Sequence, residues 1–127
     1  LIKSNHGQSL VELAIILPVL LTLLLGMVEF GRIFTSYLVM DNLSRNAARF
    51  GVVGHTDEQI SSLIAAENPI LNPADLVVSI LPDDSTRGRG DPLTITMSYE
   101  IDIITPIMGE LIPNPFPMNT SCTMMME

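Results

Sequence analysis

The sequence predicts an α+β fold, in which one long N-terminal helix carries a small head built on a three-stranded antiparallel sheet. An uncharged apolar run extends from Leu13 to Val28, and apolar residues continue at helical spacing as far as Phe50. Apolar and polar residues then alternate strictly from Leu93 to Ile103, which is typical of a strand with one buried face. The chain therefore divides into a stem (residues 1–54) and a head (residues 55–127).

The composition limits the functions open to this chain. It has 127 residues, of which 47% are hydrophobic and 16% charged, with a net charge of −8. A large multidomain enzyme and a disordered chain are excluded, and a nucleic-acid surface is unfavourable because it needs clustered Lys and Arg. Cys122 is the single cysteine, and His6 and His55 are the two histidines. We therefore predict no catalytic residue, no cofactor, no metal site and no nucleic-acid partner.

The apolar run near the N-terminus is a marginal membrane span. Its sixteen residues, bracketed by Glu12 and Glu29, would extend about 24 Å as a helix, against about 30 Å for the hydrocarbon core of a bilayer. A removable secretory signal is disfavoured, because no small-residue cleavage site follows and the helical pattern continues. The membrane is therefore one predicted partner of the stem.

The long helix is predicted to extend from Gln8 to Phe50. Beyond Glu29, one helical face repeats apolar residues at spacings of three and four, namely Ile33, Tyr37, Met40, Leu43, Ala47 and Phe50. Glu29 with Arg32 and Asp41 with Arg45 have the spacing and orientation of supporting ion pairs.

Four residues are expected to modify or end this helix. Pro18 and Gly26 should kink it or melt it locally, because proline removes a backbone donor and clashes with the carbonyl four residues before it. Gly51 and Gly54 should cap and end it.

The head is predicted to contain one short helix and three strands. Thr56 is a suitable N-cap for the helix, and the acidic Asp57 and Glu58 suit the positive end of its dipole. The predicted elements are a helix at Asp57–Glu67, a strand at Asp75–Leu81, a polar turn at Pro82–Asp91, a strand at Leu93–Ile103, an irregular crossover at Thr105–Pro117 with one helical turn, and a last strand at Met118–Met126. We expect the sheet to pack on the C-terminal half of the long helix.

The stem contains two characteristic strings, GQSLVELAIILP at residues 7–18 and GMVEFGR at residues 26–32. Together they resemble the signature of the TadE-like family, the pilin-like proteins of the tight-adherence branch of the type IV pilus superfamily. The resemblance implies a pilin-like fold and cleavage by a prepilin peptidase after Gly7, which would make Gln8 the first mature residue. It also implies a pilus assembly machinery as partner. The expected location is the bacterial cytoplasmic membrane before assembly and an extracellular surface filament afterwards.

Glu12 would be the fifth residue after that cleavage position. A carboxylate at the edge of an apolar helix is costly unless it meets a cation or is protonated. The free N-terminal amine of a neighbouring subunit is such a cation, so Glu12 would set the axial register between packed helices. The alternative is an interfacial residue that marks the end of the span. The residues assigned to assembly and register are Glu12, Pro18, Gly26, Glu29 and Arg32.

Charge is divided unevenly between the two parts. The stem carries four basic and three acidic residues, whereas the head carries two basic and eleven acidic residues, which gives net charges of +1 and −9. The resemblance implies a head outside the cytoplasm. Within the stem, Arg32, Arg45 and Arg49 follow the apolar run and only Lys3 precedes it, which favours the opposite orientation by the positive-inside rule. We retain the orientation of the family.

The predicted function is structural. The chain would be a subunit of a type IV pilus-like surface filament, a homo-oligomer or an assembly with other pilins, in which the apolar stems pack together. Two alternatives stay open: a minor pilin or pseudopilin that initiates a filament, and a membrane-anchored periplasmic binding module that never assembles. Asp83, Asp84 and Asp91 could hold calcium, but a solvated turn is the better interpretation because their spacing is not that of an EF-hand loop.

Overall fold

The longest element is helix α1, Asn5–Gly51, which has 47 residues and is about 70 Å long. It continues without interruption through Pro18 and Gly26, so the local melting expected at these residues is not found. Good helix formers surround both positions, and the hydroxyl of Thr22 donates to the Pro18 carbonyl at 2.8 Å. The missing proline N–H removes one bond from a long ladder, and the remaining bonds hold the helix.

This computed structural model describes residues 5–127. After α1 come α2 (Asp57–Glu67), β1 (Leu76–Leu81), β2 (Pro92–Ile101), α3 (Met108–Leu111) and β3 (Phe116–Met125). The predicted α+β class is confirmed, and the single helical turn expected in the crossover is α3. Lys3, which the sequence places ahead of the span, lies outside the described residues.

The sheet has the strand order β1-β2-β3, and both strand pairs are antiparallel. The central strand β2 buries alternate side chains, namely Leu93, Ile95, Met97, Tyr99 and Ile101. The polar residues between them form the other face, where the hydroxyls of Thr94 and Thr123 lie 2.9 Å apart. The buried face is therefore the one that the period-two pattern predicted.

The hydrophobic core lies between the sheet and the C-terminal half of α1. Its buried members from the helices are Met40, Leu43, Ala47, Ala48, Ile60 and Ile64. Gly51 lies where α1, α2 and β2 meet, and a Cβ at this position would come 2.5 Å from Leu93 Cδ2 and 2.9 Å from Ile60 Cδ1. A larger residue here would force the Leu93 and Ile60 side chains to move, so glycine allows the close packing. The turn after the helix falls on Gly54, whose φ of 99° is readily adopted only by glycine.

Helix α2 begins with the cap that the sequence predicts. The Thr56 hydroxyl accepts the Gln59 N–H at 3.3 Å, and the Gln59 side chain accepts the Thr56 N–H at 3.0 Å. This reciprocal pair satisfies two donors that a helix N-terminus otherwise leaves free. It fixes the point at which the chain turns from α1 back along the head.

Strand β2 runs toward the N-terminal half of α1. Leu93 at its start lies against Gly51, and Thr105, just beyond its end, is bonded to Glu29. The segment that joins β2 to β3, residues 102–115, is called the β2–β3 connection here. It therefore lies at the end of the head that is nearest the free part of the stem.

The N-terminal half of α1 projects beyond the head. An 18-residue window of this helix has a mean hydropathy of 2.5, and none of the window is buried. By length and composition the segment is suited to cross a membrane. It supports membrane anchoring of the chain.

Candidate functional site

The sequence-predicted assembly residues at the start of the stem lie on its exposed part. Gly7, Gln8 and Glu12 are all exposed on α1, and the Gln8 side-chain amide donates to Glu12 Oε1 at 3.4 Å. Within residues 5–127, this is the one side-chain hydrogen bond that Glu12 makes. Its carboxylate is thus accessible to a cationic group from another molecule.

An apolar ridge extends along α1 past the end of the uncharged run. It consists of Met27, Phe30, Phe34 and Leu38, which are spaced by three or four residues and are 45% to 66% exposed. Glu29 and Ser36, in contrast, are buried toward the head. The ridge therefore points away from the protein's own core. A contiguous exposed apolar surface of this kind is typical of an interaction site.

Gly26 faces the head rather than open space. A Cβ at this position would lie 3.9 Å from the sulfur of Met108, so α3 rests beside the last turns of the apolar run. An open apolar groove is formed between them, lined by Val19, Leu23, Gly26, Met27, Phe30 and Met108. Gly26 thus lies in the part of the stem that is beside the β2–β3 connection.

Glu29 joins the stem to the head. Its side chain is only 2% exposed. Its Oε2 atom accepts the Thr105 hydroxyl at 3.0 Å and the backbone N–H groups of Ile104 and Thr105 at 3.3 Å each. One carboxylate oxygen on α1 therefore collects three donors from the β2–β3 connection. A buried charge is tolerated when it is hydrogen-bonded in this way.

Arg32 completes this junction on the solvent side. Its Nη1 atom lies 2.6 Å from Glu29 Oε1, and the arginine side chain is partly exposed. The same nitrogen donates to the Asp102 carbonyl at 3.4 Å. The ion pair that the sequence predicts within α1 is present. Its larger role, as a clamp on residues 102–105, was not predicted.

No local sequence signal could have found that role. Glu29 and Thr105 are 76 residues apart, and a hydroxyl and two backbone N–H groups carry no identifying pattern. The position of Glu29, at the junction of an apolar run and an amphipathic helix, was the one available indication that its charge needed partners. The partners themselves follow from the way β2 lies along α1.

The three aspartates considered as calcium ligands, Asp83, Asp84 and Asp91, are not brought together as a set. Asp91 caps its own turn by accepting the Gly88 N–H at 2.7 Å, whereas Asp83 and Asp84 lie close to Asp57. Hydrogen bonding to Asp84, then to Asp57, and the nearby charges raise the pKa of Asp83. Arg87 lies 2.6 Å from Asp57, so a cation of the protein already neutralises part of this cluster. The solvated-turn interpretation fits these contacts.

Comparison with known proteins finds a family similarity in the stem. A family model for TadE-like proteins matches residues 7–49, which include the two strings that carry the resemblance and nearly all of the remaining helix. No curated protein and no solved structure matches the chain. The match covers Glu12, the apolar ridge and the stem side of the junction, Glu29 and Arg32, and it ends before the head. Over residues 7–49 the stem of this chain is therefore similar to TadE-like proteins.

Proposed function

We propose that this chain is a structural subunit of a tight-adherence pilus-like surface filament, held together by packing of its stems. The subunit resides in the cytoplasmic membrane through residues 13–28, with its head outside the cytoplasm. It then joins a helical assembly in which the stems are buried and the acidic heads face outward. The role is non-catalytic.

The observation that carries this proposal is the length of the exposed apolar surface on α1. From Leu13 to Leu38 the helix extends about 39 Å, whereas a bilayer core is about 30 Å thick. A simple anchor would need no apolar ridge beyond the membrane. Phe30, Phe34 and Leu38 lie beside the head, where a neighbouring stem would remove them from water. The ridge is therefore the proposed subunit contact.

Glu12 has a separate role in this proposal. It is exposed at the N-terminal edge of the apolar run, so a subunit that packs alongside meets its carboxylate. Processing after Gly7 would place a free amine on Gln8 of each neighbour. Pairing of that amine with Glu12 would fix how far one stem is displaced along the next.

The heads oppose assembly electrostatically. Each carries a net charge of −9, so stacked heads repel one another over a distance that salt reduces to about 8 Å at physiological ionic strength. Cohesion must then come from the stems. Moderate salt should leave filaments intact or stabilise them, whereas detergent, which replaces the neighbouring stems, should dissolve them.

The test measures the filament yield in material sheared from the cell surface. It compares cells that produce the wild-type chain with cells that produce a variant, both together with the assembly machinery. Phe34→Ser removes the centre of the ridge without touching the buried core, and Glu12→Ala removes the register carboxylate. Both variants should reach the membrane at normal levels and yield several-fold fewer filaments by electron microscopy and mass spectrometry.

Val77→Ser is the matched control. Val77 is 64% exposed on the edge strand β1, so this change removes a comparable apolar side chain from the head and should leave filament yield unchanged. A normal yield from Phe34→Ser would contradict stem packing. Recovery of the wild-type chain only in membranes would instead favour an anchored binding module.

A further inference from the structure

The β2–β3 connection reaches the depth of the membrane-spanning part of the stem. Gly26, which lines one open groove together with Met108 of α3, lies inside the uncharged run that ends at Val28. One turn later, Glu29 accepts hydrogen bonds from Ile104 and Thr105. The shared groove and these hydrogen bonds place the connection beside the last turns of the span.

The connection is unlike the rest of the acidic head in composition. Residues 103–113 contain one charged residue, Glu110. Three large apolar side chains point outward: Ile104 is 71% exposed, Ile107 50% and Leu111 74%. Such a surface is unfavourable in water and favourable at the boundary between lipid headgroups and acyl chains.

The backbone hydrogen bonds of the connection also bear on whether it can enter a region of low polarity. An unpaired N–H group is costly where water is scarce, and six of the eleven N–H groups of residues 102–115 have a named partner. The bonded donors belong to Ile103, Ile104, Thr105, Gly109, Glu110 and Ile112. Proline occupies positions 106, 113 and 115 and has no N–H group to satisfy. The connection thus combines an apolar exterior with a partly satisfied backbone.

We propose that the β2–β3 connection inserts into the head-side interface of the bilayer and forms a second membrane contact next to the stem. The occupant of its apolar surface is lipid. The uncharged run from Leu13 to Val28 favours this arrangement, because its length of about 24 Å is less than the bilayer core of about 30 Å, which draws the adjoining protein toward the membrane. The apolar ridge beyond Val28 occupies only one face of α1 and shares the helix with Glu29 and Arg32. The Glu29 clamp fixes the connection to the stem at this depth. The head is therefore held in one orientation on the membrane surface before assembly.

The absence of tryptophan from the sequence makes a direct test possible. Leu111→Trp places a fluorophore on the connection at an exposed position. Leu81→Trp is the matched control, because Leu81 is 62% exposed and pairs with Thr94 at the end of β2 that lies near Gly51. Along α1, Gly51 is about 38 Å from Gly26. The control fluorophore should therefore remain in water.

Both full-length variants are reconstituted at high dilution into phosphatidylcholine vesicles, with and without bromine on the acyl chains near the headgroup. Leu111→Trp should emit at shorter wavelength than Leu81→Trp, and brominated lipid should quench it about twofold. Leu81→Trp should be unaffected. Equal, unquenched emission from both variants would overturn the proposal.

Two other outcomes are informative. A shift to shorter wavelength without quenching by brominated lipid would mean that protein, not lipid, covers the connection, and would refute the proposal. Because the inference uses only the membrane-bound stage of the proposed function, flotation with the vesicles reports on that stage separately. If neither variant floats with the vesicles, membrane anchoring is wrong and this inference is wrong with it. If both variants float, the fluorescence of Leu111→Trp alone decides whether the connection contacts lipid, whether or not filaments form.

Discussion

Glu29 provides the most direct test of how the stem is joined to the head. Glu29→Gln keeps the shape of the side chain but supplies only one acceptor oxygen. If that oxygen faces Ile104 and Thr105, the amide nitrogen faces Arg32 Nη1 across the 2.6 Å now spanned by the ion pair, so a donor meets a donor. If the amide is reversed, three donors of the β2–β3 connection lose their acceptor. Neither arrangement satisfies both sides.

The magnitude follows from these contacts. A hydrogen bond to a charged group contributes about 1.5–3 kcal/mol, and the partial exposure of Arg32 reduces the share of the ion pair. We expect Glu29→Gln to lower the free energy of unfolding by about 2 kcal/mol. Glu29→Ala, which removes every acceptor and leaves a cavity, should cost about 3–5 kcal/mol.

The assay is denaturant unfolding in detergent micelles, combined with amide hydrogen exchange. Exchange at Ile104 and Thr105 should accelerate in Glu29→Gln, whereas the centre of β2 should change less. Arg45→Gln serves as the control, because it breaks the exposed Asp41–Arg45 pair of the same helix and should cost less than about 1 kcal/mol. If Glu29→Gln behaves like Arg45→Gln, and exchange at Ile104 and Thr105 is unchanged, the clamp does not stabilise this junction.

Two further predictions concern the core. Gly51→Ala should destabilise the head by about 1–2 kcal/mol, because the added Cβ would come 2.5 Å from a buried leucine methyl group, and overpacking outweighs the gain in helix propensity. Gly31→Ala, whose Cβ would meet nothing within 4 Å, should instead stabilise the monomer by up to about 1 kcal/mol; equal unfolding midpoints for the two variants would contradict the packing account. Met97→Asp buries a charge in the core and should cost several kcal/mol, whereas Thr96→Asp on the other face of β2 should cost about 1 kcal/mol or less; similar melting curves would mean that the buried face is assigned wrongly.

The sequence by itself determined the type and order of the elements. Helical and strand periods are local, so the faces of α1 and β2 could be read from the spacing of apolar residues. The capping threonine, Thr56, is also a local signal. The extent of the apolar run, and the position of Glu12 at its edge, follow from the sequence alone. These features depend on neighbours no more than four residues away.

The tertiary structure decided which distant residues meet. The continuity of α1 through Pro18 and Gly26 was not evident from the sequence. Local helix propensity does not show whether the backbone hydrogen bonds on either side of these residues are enough to keep the helix intact. The partners of Glu29 and the position of Met108 beside Gly26 depend on the direction and register of β2 along α1. Register brings together groups that are about 80 residues apart in the chain and that have no pattern in common. For this reason the stem was recognisable from sequence, whereas the junction and the depth of the β2–β3 connection were visible only in the fold.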